Sequence, residues 1–184
     1  MADVAQRRSP PAVPGVNWRI VAPLTRFSLR VELAAAALRV GSQLPLAVVP
    51  CRSAVQGDWS ALWLGPDEQL LIGPATMSSN LAAAAGEALS GLPHSLVDVS
   101  HRHSALEISG PHAVDLLNAG CPLDLDSDQF PVGACTRTIL AKSEIVLWRR
   151  ANELFHVEVG RSFVGYLSGF LAAAEKEFFG SIDH

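Results

Sequence analysis

The sequence predicts an α+β protein in which two similar strand–helix–strand units build antiparallel sheets with helices packed against them. Three observations predict this class. Apolar and polar residues alternate along several short segments, which is typical of half-buried strands. Ala- and Leu-rich segments between them have helical length and end close to a glycine. The same order of elements occurs in both halves of the chain, as expected when helices cover antiparallel sheets.

The first unit begins where the alternation becomes regular. Phe27, Leu29 and Val31 alternate with polar residues, which predicts a strand. The Ala-rich segment that follows predicts a helix ending at Gly41, because glycine readily adopts the left-handed conformation found after helix ends. A Gly-Pro-Asp turn predicts a hairpin. The predicted elements are a strand at 27–31, a helix at 33–40, hairpin strands at 59–64 and 69–72, a helix capped by Ser78 or Ser79 and ended by Gly91, and a strand at 96–99.

The second unit repeats this order. Its first helix starts at Pro111, because the first turn of a helix accepts proline, and it runs to Asn118. Apolar residues at helical spacing predict one buried stripe on the last helix. The remaining predicted elements are a strand at 105–108, a loop at 121–132, strands at 136–140, 145–148 and 154–159, and the stripe of Phe163, Leu167, Phe170, Leu171, Ala174 and Phe178.

The length and composition indicate one domain with an apolar excess. The chain of 184 residues is long enough to bury about 70% of its unfolded surface. We expect a flexible tail at residues 1–15, whose arginines and prolines offer little to bury, and a single domain at 16–184. Hydrophobic residues make up 49% of the chain and charged residues 17%. The excess of apolar side chains either enlarges the core or covers a face that a partner buries.

The charge and the cysteines exclude several classes of partner and compartment. The net charge is −4, and no run of Lys or Arg is present to neutralise nucleic acid phosphates. No apolar run approaches the ~18 residues of a membrane span, and the first residues lack the order of a signal peptide. Cys51, Cys121 and Cys135 match no zinc or disulfide spacing, which indicates reduced thiols. We therefore expect a cytoplasmic protein that binds neither nucleic acid nor membrane.

One short segment contains residue types that catalysis and metal binding require. Asp98, Ser100 and His101 resemble a nucleophilic triad in composition, but residues this close on one strand cannot align as nucleophile, base and orienter. We expect Asp98 and Ser100 to accept backbone N–H bonds where the strand ends. His101 and His103 share a face at strand spacing, yet a metal site needs a third ligand, for which His112 is the candidate.

The remaining reactive residue types favour structural roles. Cys121 follows a helix end, where the helix dipole disfavours a thiolate, so we expect a small, semi-buried side chain. No Gly-x-Gly-x-x-Gly or phosphate loop is present. Trp59, Trp63 and Trp148 lie in predicted strands, where a core position and an interface position suit them equally. We therefore expect no catalytic, cofactor-binding or metal-binding residue in this chain.

Five ordered motifs resemble the gamma subunits of bacterial heterotetrameric sarcosine oxidases. The resemblance covers most of the chain, from about Arg26 to the last helix. Each motif alone is weak, whereas the five in order are fairly specific. The motifs are ALWLGPDE at 61–68, VDVSHR at 97–102, LEISGP at 106–111, GCPLDL at 120–125 and FPVG at 130–133.

The resemblance implies a fold, partners and cofactors. The fold would be that of the folate-binding aminomethyltransferase domain, and the partners would be larger alpha and beta flavoprotein subunits and a small delta subunit. In such complexes FAD, FMN, NAD and tetrahydrofolate are held by other subunits, so we expect none on this chain. Aminomethyltransferases carry an acidic residue on the strand after the hairpin. Here that stretch reads EIVLW, with Glu144 at the turn, and Val or Leu cannot move a proton.

The leading hypothesis is therefore a non-catalytic subunit that kept the fold and lost the catalysis. The rival hypothesis is an independent tetrahydrofolate-binding protein or aminomethyltransferase-like enzyme. A third is a hydrolase or metal enzyme built around residues 98–103. Under the leading hypothesis exposed aromatic and arginine side chains anchor the complex. The candidates for this interface are Trp63, Arg102, Phe130 and Trp148.

Overall fold

The computed structural model of the protein describes residues 15–40, 44–76 and 78–180. Nearly all of the predicted tail, together with Gly41, lies outside these residues. The strands are β1 (Asn17–Ile20), β2 (Leu24–Val31), β3 (Ser53–Gln56), β4 (Trp59–Gly65), β5 (Glu68–Pro74), β6 (His94–Asp98), β7 (His103–Ser109), β8 (Cys135–Leu140), β9 (Ser143–Ala151) and β10 (Leu154–Gly160). The helices are α1 (Leu33–Val40), α2 (Ser78–Ala88), α3 (Ala113–Asn118) and α4 (Val164–Phe179), and a 3-10 turn (Arg161–Phe163) leads into α4.

The strands form two five-stranded antiparallel sheets with matching topology. The first sheet has the order β3-β4-β5-β2-β6, and the second has the order β8-β9-β10-β7-β1. In each unit a strand, a helix, three antiparallel strands and a second helix follow one another along the chain. The α+β class and the pseudo-repeat that the sequence predicts are therefore confirmed.

Two strands at sheet edges, β1 and β3, were not predicted from the sequence. β1 precedes the first unit in sequence but pairs with β7, with Trp18 opposite Ile108. β3 pairs only with β4 among the named strands, and its Val55 is exposed. Both strands have four residues and bury little, so neither produces the apolar alternation that marks a strand in a sequence.

The two sheets face each other, and the helices cover their outer faces. One core cluster packs α3 and α4 against the second sheet, another packs α1 and α2 against the first sheet, and a third lies between the sheets. Strand β9 contributes to two of these cores, because successive side chains along a strand point to opposite faces of the sheet. Ile145 and Leu147 belong to the helix-side core, whereas Val146 and Trp148 belong to the core between the sheets.

The last helix differs from its prediction at both ends. Leu167, Leu171 and Ala174 are buried against the second sheet as predicted. Phe163 is 50% exposed and Phe178 is 55% exposed, so the stripe is shorter than the sequence pattern suggested. Phe163 belongs to the 3-10 turn, and the period of 3.6 residues does not extend through it. Within the described residues, no helix combines the length and apolar character needed to cross a membrane.

Candidate functional site

A buried ion pair joins the two sheets. Arg26 on β2 and Glu158 on β10 are 2% and 1% exposed, and Arg26 Nε donates to Glu158 Oε2 at 2.6 Å. His156 lies two residues before Glu158, so both side chains are on the face of β10 that looks toward the first sheet. His156 Nε2 and Glu158 Oε1 are 2.7 Å apart. Both carboxylate oxygens are thus occupied by partners from this chain.

The surroundings of Glu158 keep its carboxyl group ionised. Burial acts to raise the pKa of Glu158, since it penalises the charged form. The hydrogen bond and charge of His156, followed by those of Arg26, outweigh this burial and hold the pKa below its ordinary value. Arg26 also donates from Nη1 to the backbone oxygen of Leu24 at 3.1 Å. Arg26, His156 and Glu158 therefore form a hydrogen-bonded network that fixes the Glu158 carboxylate inside the protein.

Two clefts lie on either side of His103, close to this network. The first has a volume of about 580 Å³ and the second about 820 Å³. The first cleft is lined in part by His103, Arg137, Ile139, Lys142, Glu158 and Phe163. The second is lined in part by Arg19, Arg26, Asp98, His101, His103 and Arg161.

His103 is the side chain that the two clefts share. Its Nδ1 is buried and has no hydrogen-bond partner in the part of the chain that the structure describes. Burial lowers the pKa of His103 most strongly, and Glu158 opposes this effect. The positive charges of Arg26, Arg102 and Arg137 lower it further. His103 is therefore biased toward its neutral form.

The segment from Asp98 to His101 has the structural role that the sequence predicts. Asp98 Oδ1 accepts a hydrogen bond from the backbone N–H of Ser100 at 2.8 Å, and hydrogen bonds from Ser100 lower the pKa of Asp98. Ser100 Oγ accepts from the backbone N–H of Arg26 at 2.9 Å. His101 is exposed. Asp98 and Ser100 thus hold the backbone that carries Arg26, and with His101 exposed the three residues do not converge as a triad.

The described residues contain no metal cluster, and the Cys135 thiol is held in its protonated form. No group of three or more His, Cys, Asp or Glu side chains lies close enough to hold a metal ion within them. Cys121 is 6% exposed just after α3, so it is a buried core residue rather than the semi-buried one that the sequence predicts. Burial raises the pKa of Cys135 to about 12, so this thiol stays protonated. Cys51 is exposed.

The four predicted interface residues separate into two groups. Arg102 is exposed and Trp63 is half-buried against the core of the first sheet. Phe130 and Trp148 are only 7% and 6% exposed, so their choice as interface anchors requires a correction. Phe130 packs into the core beside α3 and α4, and Trp148 fills the space between the sheets. Neither offers a partner the exposed area that an anchor needs.

The sequence predicts the position of Glu144, whereas Glu158 is not among the predicted site residues. Glu144 is the second residue of β9, beside a turn, and it is exposed, at the position where the sequence predicts it. Glu158 is instead an acid inside the apolar alternation of β10. A charged residue at an inward position of a buried strand is rarely tolerated without a partner. This signal could have identified Glu158, although the sequence could not have identified Arg26 as its partner.

The fold is that of the aminomethyltransferase-like proteins. The structure superposes on aminomethyltransferase T of the glycine cleavage system from Bartonella henselae with a TM-score of 0.65, covering 85% of this chain and 45% of that one. The two sequences are 11% identical, so this likeness concerns the fold alone.

Sequence comparison then gives the family. The model of the sarcosine oxidase gamma subunit family matches residues 30–177, and the chain belongs to this family. It is 37% identical over 170 residues to the sarcosine oxidase subunit gamma of Corynebacterium sp. (strain P-1), which covers 89% of this chain and 81% of that protein. It is also similar to a chain of the heterotetrameric sarcosine oxidase from Corynebacterium sp. U-96, with a TM-score of 0.77 and 29% identity over 92% of this chain and 88% of that one.

Proposed function

We propose that this chain is the gamma subunit of a heterotetrameric sarcosine oxidase-type complex and contributes packing surface rather than reactive groups. The complex would oxidatively demethylate sarcosine and transfer the one-carbon unit to tetrahydrofolate. Its other members would be the larger alpha and beta flavoprotein subunits and a small delta subunit. The free state of all three cysteines suits a reducing compartment, which supports a cytoplasmic location.

The observation that carries the non-catalytic role is the closed network around Glu158. A general base works best with a pKa near the operating pH, whereas hydrogen bonds from its partners hold the pKa of Glu158 below its ordinary value. Glu158 Oε2 accepts from Arg26 and Glu158 Oε1 is bonded to His156, both at distances below 3 Å. A buried carboxylate with both oxygens engaged by its own chain is suited to holding the sheets together. The exposed Glu144 beside a turn supports the same proposal.

The proposal assigns the cofactors to other subunits. We propose that FAD, FMN, NAD and tetrahydrofolate are bound by the partners and that none is bound by this chain alone. The sequence offers no phosphate-binding loop, and the rim of each cleft is formed by side chains from several separate strands and turns. Such rims suit a surface that meets another protein.

The test compares the isolated chain with the assembled complex. An affinity tag on this chain is used to recover it from cells that express all four subunits and from cells that express this chain alone. We expect four chains, flavin absorbance and sarcosine-dependent oxygen consumption in the first preparation. We expect one chain, no flavin absorbance and no oxygen consumption in the second. Sarcosine oxidation by the isolated chain would refute the non-catalytic role, and recovery without partners from the first cells would refute membership of the complex.

A second candidate function is independent binding of tetrahydrofolate. It is favoured by the likeness of the fold to an aminomethyltransferase and by the two clefts beside His103. Isothermal titration calorimetry of the isolated full-length chain with tetrahydrofolate separates the candidates. Saturable one-to-one binding would favour the second candidate, whereas heat changes equal to dilution would favour the first.

A further inference from the structure

The surface around His103 combines exposed apolar side chains with cations, and we propose that it docks an acidic segment of a larger flavoprotein subunit. That segment would present an aromatic or aliphatic side chain flanked by Asp or Glu. This inference rests on the proposed function and adds the location and chemistry of the contact. The His103 surface is formed by Arg102, Ile139, Lys142, Arg161 and Phe163 around His103.

The apolar part of the His103 surface is unusual in its exposure. Ile139 and Phe163 are 46% and 50% exposed, and both line the first cleft. Tyr166, one helical turn after Phe163, is 45% exposed and extends this part. Large apolar side chains that gather at the rim of a concave site commonly mark protein contacts. The first cleft is large enough to receive one protruding side chain from a partner.

The cationic part adjoins the apolar part. The backbone N–H of Arg161 donates to the backbone oxygen of Arg102 at 2.9 Å, which brings these two residues together. Lys142 lies on the other side, at the turn before β9. Within the described residues, the side chains of Arg102, Lys142 and Arg161 form no ion pair. Glu144 is an exposed acid that also lines the first cleft.

The other arginines near the clefts differ from these three cations. Arg19 is paired with Glu107 at 2.7 Å, and Arg137 is paired with Glu68. The chain as a whole carries a net charge of −4, so a group of unpaired cations on one face is distinctive. Complementary charge on the partner would neutralise this group and guide the encounter of the two subunits. These cations therefore favour an acidic partner.

The side chains that line the clefts favour a protein as the binding partner over a small anion. A small-ligand site places several polar groups so that they converge on the ligand. Here Arg26 and Glu158 bind each other, and the Asp98 carboxylate accepts from Ser100. Lys142 lines the first cleft, Arg161 lines the second, and Arg102 adjoins Arg161 through their backbone hydrogen bond. A broad partner surface can contact all three cations at once, whereas each cleft offers a small anion only one of them beside the unpartnered His103 Nδ1.

The experiment uses two pairs of matched variants in cells that express all four subunits. Lys142→Glu and Phe163→Ala change the His103 surface. Lys176→Glu and Phe178→Ala make the same changes at exposed positions near the end of α4. An affinity tag on a flavoprotein subunit recovers the complex, and the amount of this chain per flavin is measured. We expect each change to the His103 surface to lower recovery at least tenfold and each control to leave it unchanged.

Raising the salt concentration gives an independent readout of charge. We expect added salt to lower recovery of the unaltered chain, because mobile ions screen the attraction between the surfaces. We expect a smaller salt effect for Lys142→Glu. The circular dichroism and melting temperature of each full-length variant are measured to show that it folds.

The outcomes separate this inference from the proposed function. Normal recovery of Lys142→Glu and Phe163→Ala, while the unaltered chain assembles, would overturn the docking surface and leave the proposed function intact. Equal losses with the two controls would also overturn it, because the contact would then not be confined to this surface. Failure of the unaltered chain to assemble would refute the proposed function itself. Normal assembly of Lys142→Glu with loss of sulfate binding by the isolated chain would indicate a small-anion site and overturn the docking surface.

Discussion

The two units share one topology but differ at the face that each sheet turns toward the other. β5 and β10 are corresponding strands, since each is the last of three antiparallel strands and pairs with the first strand of its unit. β5 contributes Leu70 and Ile72 to the core between the sheets. β10 contributes His156 and Glu158 to the same face. Topology alone therefore does not determine what a strand buries.

The difference shows where this fold accepts a buried charge. Arg26 lies opposite Ile72 in the first sheet, so it shares the inner face with the apolar residues of β5. It meets Glu158 across the gap between the sheets. Apolar contacts stabilise the packing of the two sheets in proportion to the area that they remove from water, and they impose little directionality. The ion pair demands one geometry, so we expect it to fix how the two sheets sit against each other.

The largest expected effect comes from breaking the ion pair. Glu158→Gln keeps the shape of the side chain but removes its charge, which leaves the Arg26 guanidinium buried without a counter-ion. We expect the free energy of unfolding to fall by about 3–5 kcal/mol. Urea-induced unfolding followed by circular dichroism measures this loss. A change below about 1 kcal/mol would show that water or another group compensates for the lost charge.

The double variant Arg26→Met with Glu158→Leu sharpens the comparison between the units. It makes the inner face of β10 resemble that of β5, and it removes both charges together. We expect it to be more stable than either single variant, because no unpaired charge remains. Losses that simply add in the double variant would show that the two residues do not interact.

A smaller loss of stability is expected when an apolar side chain in the core between the two sheets is truncated. Leu62 on β4 is fully buried between the sheets, and Leu62→Ala leaves a cavity there. We expect the free energy of unfolding to fall by about 2–5 kcal/mol. The loss will be at the lower end of this range if the sheets move together to fill the cavity. Leu38→Ala is the matched control, because Leu38 is 89% exposed on α1 and its truncation is expected to change stability by about 0.5 kcal/mol or less. Equal losses for the two variants would contradict the position assigned to Leu62.

The same comparison explains how far the sequence predicts the structure. Apolar alternation and turn residues predict the hairpin of β4 and β5 and the repeat of element order, because these signals are local. β4 reads as almost continuously apolar since it buries Ala61 toward the helices and Leu62 toward the other sheet. Such two-sided burial is typical of a strand with layers on both faces.

The candidate site depends on contacts that no local pattern contains. Arg26 and Glu158 are 132 residues apart in the sequence, and only the packing of the two sheets brings them together. For the same reason the sequence could not separate a core tryptophan from an interface tryptophan. Trp148 became a core residue because its strand has a second sheet on that face. The exposure of Phe163 depends on a single 3-10 turn, which the helical period does not reveal.

The smallest expected effect concerns His103, which lies at the edge of the ion-pair region. Burial lowers its pKa most, Glu158 acts in the opposite direction, and the charges of Arg26, Arg102 and Arg137 lower it further. The unfolded chain, with an ordinary pKa of 6.5, binds a proton at pH values where the folded chain does not. We therefore expect stability to rise with pH from the folded pKa up to about 6.5 and to level off above it.

Replacing His103 isolates this contribution from that of the ion pair. We expect His103→Gln to flatten the dependence of the unfolding free energy on pH below about 6.5, because the group that takes up a proton on unfolding is gone. His101→Gln, at an exposed position two residues away, is the matched control for the substitution itself. Urea unfolding at several pH values measures both slopes. An unchanged slope in His103→Gln would mean that burial and the surrounding cations do not lower the pKa of His103 in the folded chain.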